Sequence, residues 1–284
     1  MSEEAEERLY DVVLFGSTGF TGKFVAEELY RVQCEVRRSL RWAAAGRSED
    51  KVQSYLEASG IEGIDVIAAD VTDDASLEEM CSKATVLISC VGPYQLYGEP
   101  VIRACIKTKC HYVDITGEPY FMEKMRQEYS EAAREAGVLL VSACGFDSIP
   151  NDLGALYVQR QFHGELAYLD SYVTTTATCF HTGTWESFLR SIKSHRQLQA
   201  LRRTKSEEPL PLPLYKMPNK GVLFYSDVMK KWALPFPGAD KAVVYRSLKY
   251  RYEVEGAAPV SPHYLLHIYI HHMVFSTCCK VFVW

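Results

Sequence analysis

The strongest constraint in this chain is an alternation that repeats between residues 10 and 145. Six short apolar runs recur: YDVVLFG (10–16), LRWAAAG (40–46), IDVIAAD (64–70), TVLISCVG (85–92), HYVDITG (111–117) and VLLVSACG (138–145). Between them lie segments with apolar residues at helical spacing, such as Phe24, Val25 and Leu29, Val52, Tyr55 and Leu56, and Val101, Ile102 and Ile106. The runs are apolar almost throughout, not at every second residue. Strands of that kind are buried on both faces, as in a parallel sheet covered by helices. Six β–α units therefore predict a doubly wound α/β fold. Asp73 and Asp74 are placed to cap the helix before Ser76 and Leu77, and Gly60 and Gly137 to stop helices.

After Gly145 the pattern changes. Residues 149–162 read as a helix, and LAYLDSYVTTTATC (166–179) as a solvent-facing antiparallel strand. Residues 184–203 read as one helix, PLPLPLYKMP (209–218) as a proline-rich loop, and KAVVYRSLKYRYEVE (241–255) alternates again. The expected organisation is a first domain over 1–150, a second α+β domain over 151–262, and an apolar tail over 263–284.

The first run leads into LFGSTGFTGK (14–23), which carries Gly16, Gly19 and Gly22 three residues apart. In a Rossmann-type fold the first such glycine permits a tight turn, the second lets backbone approach a diphosphate, and the third allows helix and strand to pack closely. The amides at the helix start, with the helix dipole, then hold the anion. Here the motif follows a strand and opens a helix, which is the context that gives it meaning. Gly16, Ser17, Thr18, Gly19, Phe20, Thr21 and Gly22 are thus candidate cofactor-binding residues. Arg47 ends the second run, where an NAD site usually carries an acid. A guanidinium suits a ribose 2′-phosphate, which favours NADP; the alternative is a solvated residue beside a Ser48 helix cap. Asp70 and Val71 would lie near the adenine, or form a strand-end turn.

The loop after the fourth run, CVGPYQLYGEP (90–100), places Val91, Gly92, Pro93 and Tyr94 where the nicotinamide half would run. Tyr94 could stack on the ring, donate a proton or pack in the core. Asp114 and Glu118 are acid–base candidates, or carboxylates that cap the following helix or bind backbone amides, and Asp147 is a further catalytic candidate at the same crevice. Tyr120 and Lys124 have the Tyr-x-x-x-Lys spacing of short-chain dehydrogenases, but open the helix after the fifth strand, not the fourth. Hydride transfer needs no protein nucleophile, because the cofactor carries the chemistry.

A net charge of −5 argues against a general nucleic-acid binder. The nine cysteines form no C-x-x-C pair and no zinc-type cluster, as fits a reducing compartment. MSEEAEER at the N-terminus is neither a secretory signal nor a transit peptide, so an intracellular, cytoplasmic location is expected.

GSTGFTG, AGRS, CVGPYQLYGEPVIRAC, YVDITGEPYF and GFDSIPNDLG, in that order, resemble the saccharopine dehydrogenase-like oxidoreductases of animals, over about residues 10 to 260. The resemblance implies an NADP-binding Rossmann domain, a mixed second domain and an undefined physiological substrate. It also implies association with membranes, lipid droplets or mitochondria, with a lipid as one candidate substrate and a homodimer as a candidate assembly. Relatives extend further, so the second domain is expected to be incomplete, with the remainder of the substrate pocket missing. The competing expectation is a non-catalytic, nucleotide-binding scaffold at a membrane or lipid-droplet surface.

Residues 264–284 approach the length that spans a bilayer, interrupted by His267, His271, His272 and Lys280. His267 and His271 lie one helical turn apart without a third ligand, so no metal is expected. Cys278 and Cys279 suggest palmitoylation. Arg190, Lys193, Arg196, Arg202, Arg203 and Lys205 form a basic stretch that suits either anionic headgroups or a solvated helix face.

Overall fold

The structure is a computed structural model. It describes residues 8–146, 148–164, 166, 169–173, 181–204, 210–211, 221, 223–227, 229–235, 238–257 and 265–270. The chain divides into two units, Met1–Cys144 with Arg190–His195, and Gly145–Leu189 with Arg196–Trp284.

The first unit alternates strand and helix: β1 (Tyr10–Phe15), α1 (Phe20–Glu35), β2 (Trp42–Gly46), α2 (Glu49–Ala58), β3 (Asp65–Ala68), α3 (Asp74–Ser82), β4 (Ala84–Ser89), α4 (Tyr94–Lys107), β5 (His111–Asp114), α5 (Pro119–Ala136) and β6 (Leu140–Val141). All strand pairs are parallel, in the order β3-β2-β1-β4-β5-β6. Parallel neighbours need crossovers, and the helical segments supply them. The unbroken apolar runs have the predicted cause. Val13 and Phe15 face one core cluster, with Leu77 and Met80 of α3, Val101 and Ile102 of α4 and Phe121 of α5. Leu14 faces the other, with Ala26 of α1 and Val52 and Leu56 of α2. Ala43 and Ala45 divide from Ala44 in the same way, so helices cover both faces.

Capping sets the helix ends. The Asp73 carboxylate accepts the Ala75 N–H at 3.0 Å, and Gly137 ends α5 in the left-handed conformation. Because β1 lies between β2 and β4, chains leave the sheet in opposite directions there, opening a crevice at the carboxyl ends of β1 and β4.

The rest of the chain contains α6 (Ile149–Gln161), β7 (Asp170–Val173), α7 (Thr182–Lys193), α8 (His195–Thr204), β8 (Phe224–Ser226), β9 (Lys231–Pro235), α9 (Asp240–Glu255) and β10 (Leu265–Ile270), all in the second unit except the end of α7 from Arg190 and His195 at the start of α8. Its sheet runs β7-β10-β9-β8. Three expectations need correction. Within the 166–179 run only Asp170–Val173 is described as strand, and it pairs in parallel with β10. Residues 241–255 form α9, not a strand: Val244 and Leu248, one turn apart, pack with Ala155 and Leu210, and this i, i+4 pair outweighs the apparent alternation. The 184–203 helix divides at Ser194, whose hydroxyl back-bonds to the Arg190 carbonyl at 2.9 Å, a contact that bends helices.

At the start of the apolar tail, β10 pairs with β7 and, antiparallel, with β9. His271, His272, Cys278, Cys279 and Lys280 lie outside the described residues, as do Lys205 and most of 209–218. Among the described residues no helix is long and apolar enough to cross a membrane, and no cluster of His, Cys, Asp or Glu could hold a metal ion.

Candidate dinucleotide-binding site

The glycine turn joins β1 to α1 at the sheet's carboxyl edge. Gly16 has φ +88°, a conformation that L side chains rarely adopt. Its N–H donates to the Ala45 carbonyl at 2.9 Å, and the buried Ser17 hydroxyl donates to the same carbonyl at 3.2 Å, strapping the turn to β2. A Cβ on Gly16 would lie 2.8 Å from Val91 Cγ2 and 3.1 Å from the Cys90 carbonyl carbon, so the loops after β1 and β4 touch here. A Cβ on Gly22 would lie 2.0 Å from the Gly16 oxygen. Gly19 caps α1, its own N–H donating to the Gly16 carbonyl at 3.0 Å. It offers no side-chain cap, and the first turn of α1 has no acidic residue. The dipole there is uncompensated by side chains, which suits an incoming oxyanion. By contrast, Ser48 caps α2, where Glu49 and Asp50 follow, and Asp73 caps α3. Thr18 and Thr21 are half-buried. Phe20 is exposed, edge-on to Phe24 with ring centroids 5.6 Å apart.

Arg47 follows β2 and is exposed, beside Ser48, whose hydroxyl accepts the Lys51 N–H at 3.4 Å. Asp70 follows β3. Its carboxylate accepts the N–H of Thr72 at 2.9 Å and the Thr72 hydroxyl at 2.8 Å, forming a strand-end turn. These two bonds hold its carboxyl below the usual range, with a smaller contribution from the Arg47 charge. Val71 packs against the first core cluster. On the other side of the crevice Val91 is half-buried, Gly92 is exposed, and Pro93 is buried after a cis peptide bond.

The crevice carboxylates turn inward. Glu118, fully buried, accepts the N–H groups of Tyr94 at 2.9 Å and Gln95 at 3.0 Å, and so caps α4, the helix before its own. Asp114, also fully buried, accepts from the Tyr112 hydroxyl at 2.9 Å and from the N–H groups of Thr116 at 3.0 Å and Ala143 at 2.9 Å. Burial raises its pKa to about 6, against the opposing pull of these bonds. The Tyr94 hydroxyl donates to the Ser89 carbonyl at 2.8 Å, and its ring packs on Phe121, centroids 5.8 Å apart. Burial pushes that hydroxyl's pKa up as well. Lys124 is bound by Glu99 at 2.5 Å. Asp147 lies outside the described residues.

Residues 12–141 match the saccharopine dehydrogenase NADP-binding domain, a span that takes in the glycine turn, Arg47 and the crevice carboxylates. A human saccharopine dehydrogenase-like oxidoreductase is 39% identical over 90% of this chain and 63% of its own length. The chain is similar to the saccharopine dehydrogenase-like oxidoreductases over most of its length. It spans less than two thirds of that human relative. A Caenorhabditis elegans relative named "Lipid droplet localized protein" is 39% identical over 85% of this chain and 59% of its own. An Arabidopsis thaliana relative named "Probable mitochondrial saccharopine dehydrogenase-like oxidoreductase" is 35% identical over 85% of this chain and 56% of its own.

Within the matched span, Gly16 lies against Val91 and Cys90, and Gly22 against the Gly16 carbonyl, so neither position has room for a Cβ. The structure joins Tyr94 to Glu118 through a backbone hydrogen bond, while Asp114 is tied to Tyr112, Thr116 and Ala143. Sequence reasoning missed that Glu118 reaches back to α4. The signal was present: Pro93, at the cap position of α4, has no side-chain donor or acceptor to satisfy the helix amides.

Proposed function

We propose that this chain is an NADP-dependent oxidoreductase acting on an undefined, lipid-linked small molecule. The observation that carries the reading is the uncapped start of α1 behind a turn with no room for a side chain at Gly16 or Gly22. Amides from Ser17 to Gly22 would hold the diphosphate and Arg47 the 2′-phosphate. Asp70 and Val71 would flank the adenine, and Val91 to Tyr94 the nicotinamide half. The bound cofactor supplies hydride transfer at its nicotinamide. The chain's own residues bind and orient it, and the buried Pro93–Tyr94 corner excludes water beside it. Preference for NADP over NAD rests on Arg47 alone. Thermal-shift and fluorescence titrations with NADP(H) and NAD(H) test the reading: a bound ligand must raise the melting temperature by mass action, and NADPH must do so at lower concentration than NADH. No shift with either cofactor would overturn it.

A second reading is a nucleotide-binding scaffold without turnover. Asp114 and Glu118 favour it, since both carboxylates are committed to backbone amides. On either reading the working surroundings are a lipid-droplet or mitochondrial membrane surface, in keeping with the names of two relatives, and the assembly is a homodimer. Turnover of NADPH by the purified chain against a panel of lipid aldehydes, ketones and enoyl compounds separates the two readings.

A further inference from the structure

Helix α7 buries none of its residues, yet its apolar side chains gather on one side. At about 100° per residue, Trp185, Phe188, Leu189 and Ile192 fall within an arc of about 100°. Trp185 is 46% exposed, Leu189 40% and Ile192 58%. The Phe188 ring lies 5.7 Å from that of Trp185. An aromatic and aliphatic stripe left facing water marks an interaction surface.

Charge identifies the partner. Lys193, one turn beyond Leu189, borders the stripe and is exposed. Only Ser194 separates α7 from α8, where Arg196, Arg202 and Arg203 are exposed within about 120° of arc while Leu198 is buried. From Thr182 to Thr204 there are five Arg and Lys and a single acid, Glu186, in a chain of net charge −5. A basic surface cannot pair with itself across a two-fold axis without setting like charges together, which disfavours a second copy of this chain.

We propose that α7 lies in the headgroup layer of an anionic phospholipid surface. Trp185, Phe188, Leu189 and Ile192 dip to the acyl boundary, Trp185 with its indole N–H toward the headgroups. Lys193 snorkels to the phosphates, and the arginines of α8 add long-range attraction. The inference rests on the membrane-surface part of the proposed function and is independent of its dinucleotide part.

Flotation of the full chain tests it, with vesicles of phosphatidylcholine alone and of phosphatidylcholine mixed in equal parts with phosphatidylserine. The wild type should float with the mixed vesicles, less with the neutral ones, and less as salt rises. The double variant Leu189→Glu, Ile192→Glu should lose about tenfold or more in partitioning. Lys193→Glu with Arg196→Glu should lose the preference for anionic vesicles. Both alter exposed positions, so melting temperature and NADPH titration should be unchanged and report correct folding. If the wild type floats and the Leu189, Ile192 variant floats equally, another segment holds the membrane; α7 is then excluded, while the membrane-surface reading stands. If the wild type does not float with either vesicle, both fail. Loss of a dimer in the stripe variant, without flotation of the wild type, would instead assign the stripe to a protein contact and overturn the proposal.

Discussion

The carbonyl oxygen of Gly16 occupies the space that a side chain on Gly22 would need: a Cβ there would sit 2.0 Å from it. The contact fixes how closely α1 approaches the end of β1, and hence where its first amides point. The obstacle is backbone, so no rotamer change relieves it. Gly22→Ala should lower stability by about 3 kcal/mol, as for overpacking in a rigid interior, and abolish NADPH binding. Urea unfolding and NADPH fluorescence titration measure the two effects. A variant of normal stability that still binds NADPH would show that the turn does not set the position of α1.

Glu118 should matter more for stability than for chemistry. Replacing it by Ala leaves the buried N–H groups of Tyr94 and Gln95 without their acceptor, at about 1–3 kcal/mol for each such group. Glu118→Gln should recover part of the loss, because its amide has one acceptor oxygen for two N–H donors. Unfolding free energies of wild type, Gln and Ala forms should fall in that order. A Gln form with unchanged stability and lost turnover would point to a proton-transfer role instead.

How much of this was legible beforehand follows from which forces are local. The runs around Val13, Ala44 and Leu87 fixed a two-sided parallel sheet because burial on both faces leaves its mark in each strand separately. The glycine spacing showed the turn, since close approach at Gly16 and Gly22 tolerates no other residue. That Asp114 and Glu118 could bind backbone amides was legible, but which amides was not: Glu118 reaches amides 23 and 24 positions away and Asp114 one 29 away, which no local pattern records. Helix α9 departs from the alternation reading because Leu248, Tyr250, Tyr252 and Val254 fall at every second position, whereas burial of Val244 and Leu248, four apart, decides the outcome. The division at Ser194 depends on a hydroxyl choosing the carbonyl of Arg190, a choice made only within the folded helix.

Asp114 should make stability depend on pH. Its folded pKa is raised from 3.8 to about 6, so the folded state holds its proton more tightly than the unfolded chain. The stabilisation from that proton is present in full below about pH 4 and is lost as pH rises to about 6, roughly 3 kcal/mol in all. Asp114→Asn keeps the shape: its oxygen can accept the Thr116 and Ala143 amides while its NH2 donates to the Tyr112 hydroxyl. The variant should therefore gain stability relative to wild type as pH rises across this window, with a constant difference above it. Urea unfolding at intervals across the window checks this, and parallel curves for the two proteins would count against it.

Arg47 is the sharpest test of cofactor choice, because its guanidinium is exposed at the end of β2 while the proposed diphosphate cradle lies at the end of β1. The two parts of the site can be altered separately. A hydrogen bond to a charged group is worth about 1.5–3 kcal/mol, so Arg47→Ala should weaken NADPH binding roughly 10- to 100-fold. NADH lacks the 2′-phosphate and should bind the variant as it binds the wild type. The lost selectivity should be largest at low salt, since the attraction between an exposed cation and a phosphate is screened. Asp70 serves as the internal control: its charge lies near Arg47, but its carboxylate is tied to Thr72, so Asp70→Asn should change the NADPH-to-NADH ratio far less. Paired titrations of the three proteins with both cofactors decide the matter. Equal losses for NADPH and NADH in the Arg47 variant would reduce Arg47 to a solvated neighbour of the Ser48 cap and leave the cradle without a means of telling the two cofactors apart.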